Sequence, residues 1–237
     1  MQAKTVIGFE TTLRANLSNI VWDDTLEQQL YSVFAKHCIN LIETYPIEGI
    51  NKTTFLFVMT NDTDDIRAKI FVDVDENFGF MQLFISQQDM EIMSNSPSNH
   101  QKDFFLSAII SMVAHESYHW TQYYKSYHEI DPQEITSQMF SRCELSIHLN
   151  NNENAELIYL SNDKEIAAHA FTAGAEIMLF FKDTNKALNF IRNQEESPNA
   201  AFWSMYNYYF KNSTHKNATK VLNRYKRHVY EYIKNHA

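Results

Sequence analysis

Hydrophobic side chains recur every three or four positions along most of the chain, which is the spacing of one face of an α-helix. Residues 26–45 show this pattern first, and Pro46 follows the predicted end of that helix. Further helices are predicted after the first hundred residues, several of them preceded by polar capping residues. They span residues 102–124, 131–149, 164–181, 184–191, 197–210 and 217–235.

A different pattern follows the first helix, where β-branched and aromatic residues form short runs. Residues 54–59, 68–74 and 78–86 are predicted strands, and the polar turn at residues 75–77 predicts a hairpin between the last two. Together these runs predict a small, mostly antiparallel sheet. Residues 5–9 could form another short strand.

The helix predicted at residues 102–124 is apolar on nearly every side, and such a helix is buried in the middle of its domain. A polar loop at residues 94–100 precedes it. We expect an N-terminal part with the sheet, 1–100, and a helical part, 101–237, that form one integrated domain. The predicted fold class is α+β, predominantly helical, with the small sheet preceding the buried helix.

With 237 residues, 44% of them hydrophobic, the chain can bury a substantial core. Its formal net charge of -9 disfavours nucleic acid and anionic membranes as partners. No apolar run approaches the roughly 18 residues of a membrane span, and the start lacks the pattern of a signal peptide. Only two cysteines occur, which suits a reducing compartment. We therefore expect a cytoplasmic protein without membrane association, whose oligomeric state the composition leaves open.

The buried helix contains a His-Glu-x-x-His motif formed by His115, Glu116 and His119. Residues four apart lie on the same helix face, so both imidazoles could bind one metal ion. Zinc is the metal ion that such a pair usually binds. Glu116 lies beside the histidines and could take a proton from a zinc-bound water. The motif therefore predicts a zinc hydrolase.

A catalytic zinc site needs a third protein ligand. One class of zinc site has a third histidine ligand six residues after the second. That class is excluded here, because Lys125 occupies the position. Glu165 and His169 share one face of a later helix, and either could complete the site. His169 could instead hold a ligand in place. His128, which lies shortly beyond the motif helix, is another candidate.

Glu165 opens the pattern Glu-x-x-Ala-x-x-Phe-x-Ala, which continues through Ala168, Phe171 and Ala173. This pattern after a His-Glu-x-x-His helix resembles the gluzincin metallopeptidases, in particular the ImmA/IrrE-type and similar phage-encoded proteins. The resemblance implies a zincin-like fold with a short sheet before the motif helix. It also implies that Glu165 is the third zinc ligand beside the two histidines of the motif.

The function expected from motif and resemblance is that of a zinc-dependent metallopeptidase. It would hydrolyse a peptide bond in a peptide or protein through a zinc-bound water, with Glu116 as general base. Tyr118, His128 and His169 are candidates to stabilise the oxyanion or to hold a ligand. Two alternatives are a zincin-fold binding or regulatory protein with little or no peptidase activity, and a helical protein whose motif binds no metal.

Overall fold

A computed structural model describes most of the chain, and the chain divides into two compact units, Met1–Met139 and Phe140–Ala237. Among the described residues, no helix is both long enough and apolar enough to cross a membrane. The helix predicted over residues 131–149 lies outside the described residues. The described residues are 2–50, 52–61, 66–73, 76–95, 97–129, 157, 159–195, 200–211, 213 and 217–235.

The first unit contains four described helices and a three-stranded sheet. In chain order they are α1 (Gln2–Leu17), α2 (Leu26–Thr44), β1 (Lys52–Thr60), β2 (Arg67–Asp73), β3 (Phe78–Ser86), α3 (Gln87–Ser94) and α4 (Asn99–Glu129). The predicted helix over residues 26–45 and the three predicted strands are confirmed within a few residues. Helix α3 was not predicted; the side chain of Ser86 caps its first turn by accepting a hydrogen bond from the backbone N–H of Asp89.

The short strand expected at residues 5–9 is wrong, because these residues lie inside α1. Leu13 and Leu17 lie four residues apart on α1 and are both buried in the core of the first unit. Helix α1 packs against α2 and α4. Burial of this face favours a helix over the local preference of a β-branched run.

The sheet has the order β1-β3-β2, so β3 is the central strand. Strands β2 and β3 pair antiparallel and form the predicted hairpin, whereas β1 and β3 pair parallel. The sheet is therefore mixed, which corrects the expectation of a mostly antiparallel sheet. The correction arises because the hairpin fixes only the β2–β3 pair, while β1 pairs with a strand distant in sequence.

Helix α4 is buried through its middle, as predicted, and packs against α1 and β2. Its apolar contacts in the core include Ile109, Val113 and Trp120. The indole N–H of Trp120 donates a 2.9 Å hydrogen bond to the backbone carbonyl of Tyr45 at the end of α2. These contacts fix the helix that carries the His-Glu-x-x-His motif.

The second unit contains α5 (Asp163–Phe181), α6 (Thr184–Asn193), α7 (Ala201–Lys211) and α8 (Ala218–Asn235) among its described residues. Helix α5 packs against the other three. The sequence predicted each of these helices within a few residues of its observed bounds.

The predicted fold class, α+β and predominantly helical with a small sheet, is confirmed. The division into residues 1–100 and 101–237 stays a prediction. The contacts of α4 described above are with elements of the first unit.

Candidate metal centre

His115 and His119 lie one turn apart on α4, and both side chains are buried. Their Nε2 atoms are 3.0 Å apart, and their rings meet edge to face with centroids separated by 4.6 Å. Two nitrogen ligands about 2.1 Å from one tetrahedral zinc ion would lie roughly 3.4 Å apart. The two imidazoles therefore converge with a spacing that suits a shared metal ion.

The side chain of Gln122, one turn beyond His119, fixes the orientation of that imidazole. The carbonyl oxygen Oε1 of Gln122 lies 2.8 Å from Nδ1 of His119, so Nδ1–H donates to it. The tautomer with the proton on Nδ1 leaves the lone pair on Nε2, which is the atom that faces His115. Gln122 thus holds His119 in the form that can bind a metal.

The carboxylate of Glu116 is held by the sheet. The backbone N–H of Ile70, on β2, donates a 3.0 Å hydrogen bond to Oε2 of Glu116. Strand β2 lies at an edge of the described sheet, and α4 packs against it. The sheet that precedes the motif helix therefore positions the candidate base. The same hydrogen bond also joins α4 to β2.

A second buried polar contact joins α4 to α2. The hydroxyl of Ser117 donates to the backbone carbonyl of Val113 at 2.7 Å, so its oxygen accepts from Nε2–H of His37 at 2.8 Å. Burial lowers the pKa of His37 from 6.5 to about 4. His37 is therefore neutral at pH 7 and acts as a structural donor.

In the second unit, Glu165 and His169 lie one turn apart near the start of α5, and both are buried. The hydroxyl of Tyr159 donates a 2.6 Å hydrogen bond to Oε2 of Glu165. Nε2 of His169 lies 3.8 Å from the same oxygen. The second unit thus places a carboxylate and an imidazole side by side, and Tyr159 fixes the carboxylate.

Each unit thus has a pair of buried side chains that could bind a metal ion, His115 with His119 in the first unit and Glu165 with His169 in the second. All four were predicted site residues. Their assignment as zinc ligands stays a prediction, and so does the choice between Glu165 and His169 as third ligand.

Of the residues predicted to stabilise an oxyanion, Tyr118 lies on α4 and is half-buried, and burial raises the pKa of its phenol. It therefore keeps its proton at neutral pH. The side chain of His128, near the end of α4, lies outside the described part of the chain. Both assignments stay predictions.

Three contacts of the site were not predicted from the sequence: those of Gln122, Tyr159 and the backbone of Ile70. Gln122 could have been found, because it lies three residues after His119 and so shares its helix face. Tyr159 and Ile70 carry no such signal. Tyr159 precedes α5, and the role of Ile70 depends on which strand lies beside α4.

No protein-family model, no curated protein and no solved structure matches the chain. The functional conclusion therefore rests on the chemistry of these side chains.

Proposed function

We propose that this protein is a zinc-dependent peptidase that hydrolyses a peptide bond in a peptide or protein substrate. His115, His119 and Glu165 are the proposed zinc ligands, and Glu116 is the proposed general base. The observation that carries the proposal is the convergence of the His115 and His119 Nε2 atoms, 3.0 Å apart on a buried helix. Two buried imidazoles with their ring nitrogens facing each other are costly to place without a function for them.

The donor set fits zinc. Two imidazoles and one carboxylate make the His2Glu set of catalytic zinc sites, which keeps one position open for water. Gln122 on His119 and Tyr159 on Glu165 are the kind of surrounding hydrogen-bond partners that orient metal ligands. None of the three proposed ligands is a cysteine, so the set differs from that of cysteine-rich structural zinc sites.

When bound, the zinc ion would polarise the scissile carbonyl and lower the pKa of a water molecule towards about 7. Glu116 follows His115 directly on α4, and its carboxylate is fixed by the Ile70 N–H. We assign Glu116 to accept a proton from the attacking water and to pass it to the leaving amine. This arrangement accords with a gluzincin, in which a short sheet precedes the motif helix and a later helix provides a glutamate.

Metal analysis of full-length protein purified without chelator tests the proposal first. We expect about one zinc per chain, lost when His115 or His119 is changed to Ala. Wild-type protein without bound zinc would overturn the proposal.

Hydrolysis is then measured on a mixed library of internally quenched fluorescent peptides. Glu116→Gln should keep its zinc and lose hydrolysis. Glu43→Gln, which changes an exposed glutamate on α2, is the matched control and should keep both. A Glu116→Gln protein as active as wild type would exclude the proposed base.

The Ile70–Glu116 hydrogen bond also favours a second candidate function. A carboxylate that accepts from β2 ties two elements of the first unit together, which is a structural role. The protein would then use a zincin fold and its metal for binding or regulation, with little or no peptidase activity. Zinc bound at one per chain, no cleavage of any library peptide, and a Glu116→Gln variant that is only less stable would favour this function.

A further inference from the structure

Strand β1 forms one edge of the described sheet, because the strand order is β1-β3-β2 and β1 pairs with β3. An edge strand presents a row of backbone N–H and C=O groups on its open side, and these groups can pair with a strand of another chain. Natural proteins protect such edges with charged side chains, proline, bulges or a covering helix. The two edges of this sheet differ in that protection.

The edge at β2 is both covered and charged. Helix α4 packs against β2, and the backbone N–H of Ile70 donates to Glu116 of that helix. Arg67 and Lys69 add two exposed positive charges along the strand. These features disfavour pairing of β2 with another chain.

The edge at β1 lacks the charges, prolines and bulges that protect edges. Its sequence over Lys52–Thr60 has one charged residue, at the first position, and contains neither proline nor glycine. Its pairing with β3 continues through all nine residues without a bulge. A strand usually has about five or six residues, so β1 is a long, regular and largely apolar edge. Such an edge is the kind that pairs with another strand.

The two faces of β1 have different surroundings. Phe55, Phe57 and Met59 pack against the hydrophobic core of the first unit. Thr54 and Leu56 alternate with them, point to the opposite face and are exposed. Leu56 is 39% exposed although it is a large aliphatic side chain in the middle of the strand. A strand added at this edge would give Leu56 a cross-strand neighbour and bury it further.

We propose that β1 pairs antiparallel with β1 of a second copy of this chain, which joins two three-stranded sheets into one sheet of six strands. Leu56 is the middle one of the nine residues, so pairing centred on Leu56 uses the whole strand. A two-fold axis perpendicular to the sheet keeps the core-facing side chains of both copies on the same side. Pairing at β1 involves none of the proposed zinc ligands, so it is independent of the proposed function.

Strand β1 is complementary to itself in this register. Leu56 lies opposite Leu56 of the second copy, and opposed Cβ atoms in such pairs are about 5 Å apart. Thr54 lies opposite Val58, and Lys52 lies opposite Thr60, so no two like charges meet. The match in length, in face and in charge favours a second copy of the chain over an unrelated strand.

Sedimentation of the full-length protein over a range of concentrations up to about 100 µM measures the association. We expect wild type to change from a monomer of 27.9 kDa to a dimer of twice that mass. Leu56→Lys should weaken the dimer at least about tenfold, because two like charges then meet at its centre. Ile39→Lys is the matched control: Ile39 lies on α2 and is 46% exposed, and its change should leave the association as in wild type.

A mixture of two variants tests the register. Leu56→Lys and Leu56→Glu should each associate weakly alone, because each places like charges opposite one another. Mixed together, they should associate at least about tenfold more tightly than either variant alone, because opposite charges then meet. Only pairing in which Leu56 lies opposite its own copy gives this result. A mixture that associates no more tightly than the separate variants would refute the proposed pairing.

Amide hydrogen exchange of wild type gives a readout that needs no variant. Exchange of the β1 backbone N–H groups should slow as the protein concentration rises, whereas exchange in β2 should not change. Wild type that remains monomeric at about 100 µM, or a dimer that Leu56→Lys does not weaken, would overturn the proposal. Neither result would alter the zinc content or the hydrolysis by which the proposed function is tested.

Discussion

Nδ1 of His119 lies 2.8 Å from Oε1 of Gln122, so two residues of one helix turn fix the tautomer of a candidate metal ligand. Both partners of this hydrogen bond lie on α4. It orients Nε2 of His119 towards Nε2 of His115 at 3.0 Å before any metal binds. Pre-organisation of this kind raises metal affinity, because less ordering is needed on binding.

We predict that Gln122→Ala lowers zinc affinity roughly 10- to 100-fold, the usual effect of removing a hydrogen-bond partner from a metal ligand. Competition with a chelator of known affinity measures it. Gln122→Glu keeps an acceptor at the same place and should bind zinc with nearly wild-type affinity. If Gln122→Ala bound zinc as tightly as wild type, the orienting role would be refuted.

The hydrogen bond from Tyr159 to Glu165 should matter for stability even without metal. Tyr159→Phe removes the 2.6 Å donor from a buried carboxylate, and we expect the free energy of unfolding to fall by about 1–3 kcal/mol. Urea denaturation of the metal-free protein measures the change. Tyr208→Phe, at a tyrosine that is 79% exposed, is the control and should change stability by less than about 0.5 kcal/mol.

Much of the fold could be predicted from the sequence, because helix periodicity is a local property. The bounds of α2 and of α5 to α8 followed from apolar spacing and capping residues. The parallel pairing of β1 with β3 could not be predicted, since strand pairing depends on contacts between distant residues. The same holds for α1, whose helical form depends on burial of Leu13 and Leu17.

Prediction of the candidate site from the sequence is limited in the same way. His115 with His119, and Glu165 with His169, were predicted because a spacing of four residues places side chains on one helix face. The donors to Glu116 and Glu165 come from a strand backbone and from a residue outside α5. No periodicity in the sequence indicates such partners, because they depend on tertiary packing.

Gly174 permits the close packing of α5 against α8. A methyl group there would fall well inside contact distance of the Tyr232 ring, which fills the space beside the glycine. We expect Gly174→Ala to lower the free energy of unfolding by about 1–3 kcal/mol, the usual cost of overpacking.

Thermal or urea unfolding of the full chain checks this prediction. Gly8→Ala on α1 is the matched control, because nothing lies within 4 Å of its added carbon. That change should be neutral or should stabilise by up to about 1 kcal/mol, since alanine favours a helix. A Gly174→Ala protein as stable as wild type would mean that Tyr232 can move aside without loss.

The buried His37 should make stability depend on pH in the acidic range. Its pKa is about 4 in the folded protein and 6.5 when unperturbed, because burial disfavours the charged form. Between these values the unfolded chain binds the proton and the folded chain does not, so stability rises with pH. The contribution is fully present above pH 6.5, is lost as pH falls towards 4, and amounts to about 3 kcal/mol.

Urea denaturation of wild type and His37→Gln at several pH values from 4 to 7 isolates this contribution. Glutamine can still donate to Ser117 but does not titrate in this range. The free energy of unfolding of the variant should therefore depend less on pH than that of wild type. The two slopes against pH should differ by the equivalent of up to one bound proton, because the other titrating groups are shared and cancel in the difference. Parallel pH profiles for the two proteins would show that His37 titrates alike in the folded and unfolded chain, contrary to its burial against Ser117 on α4.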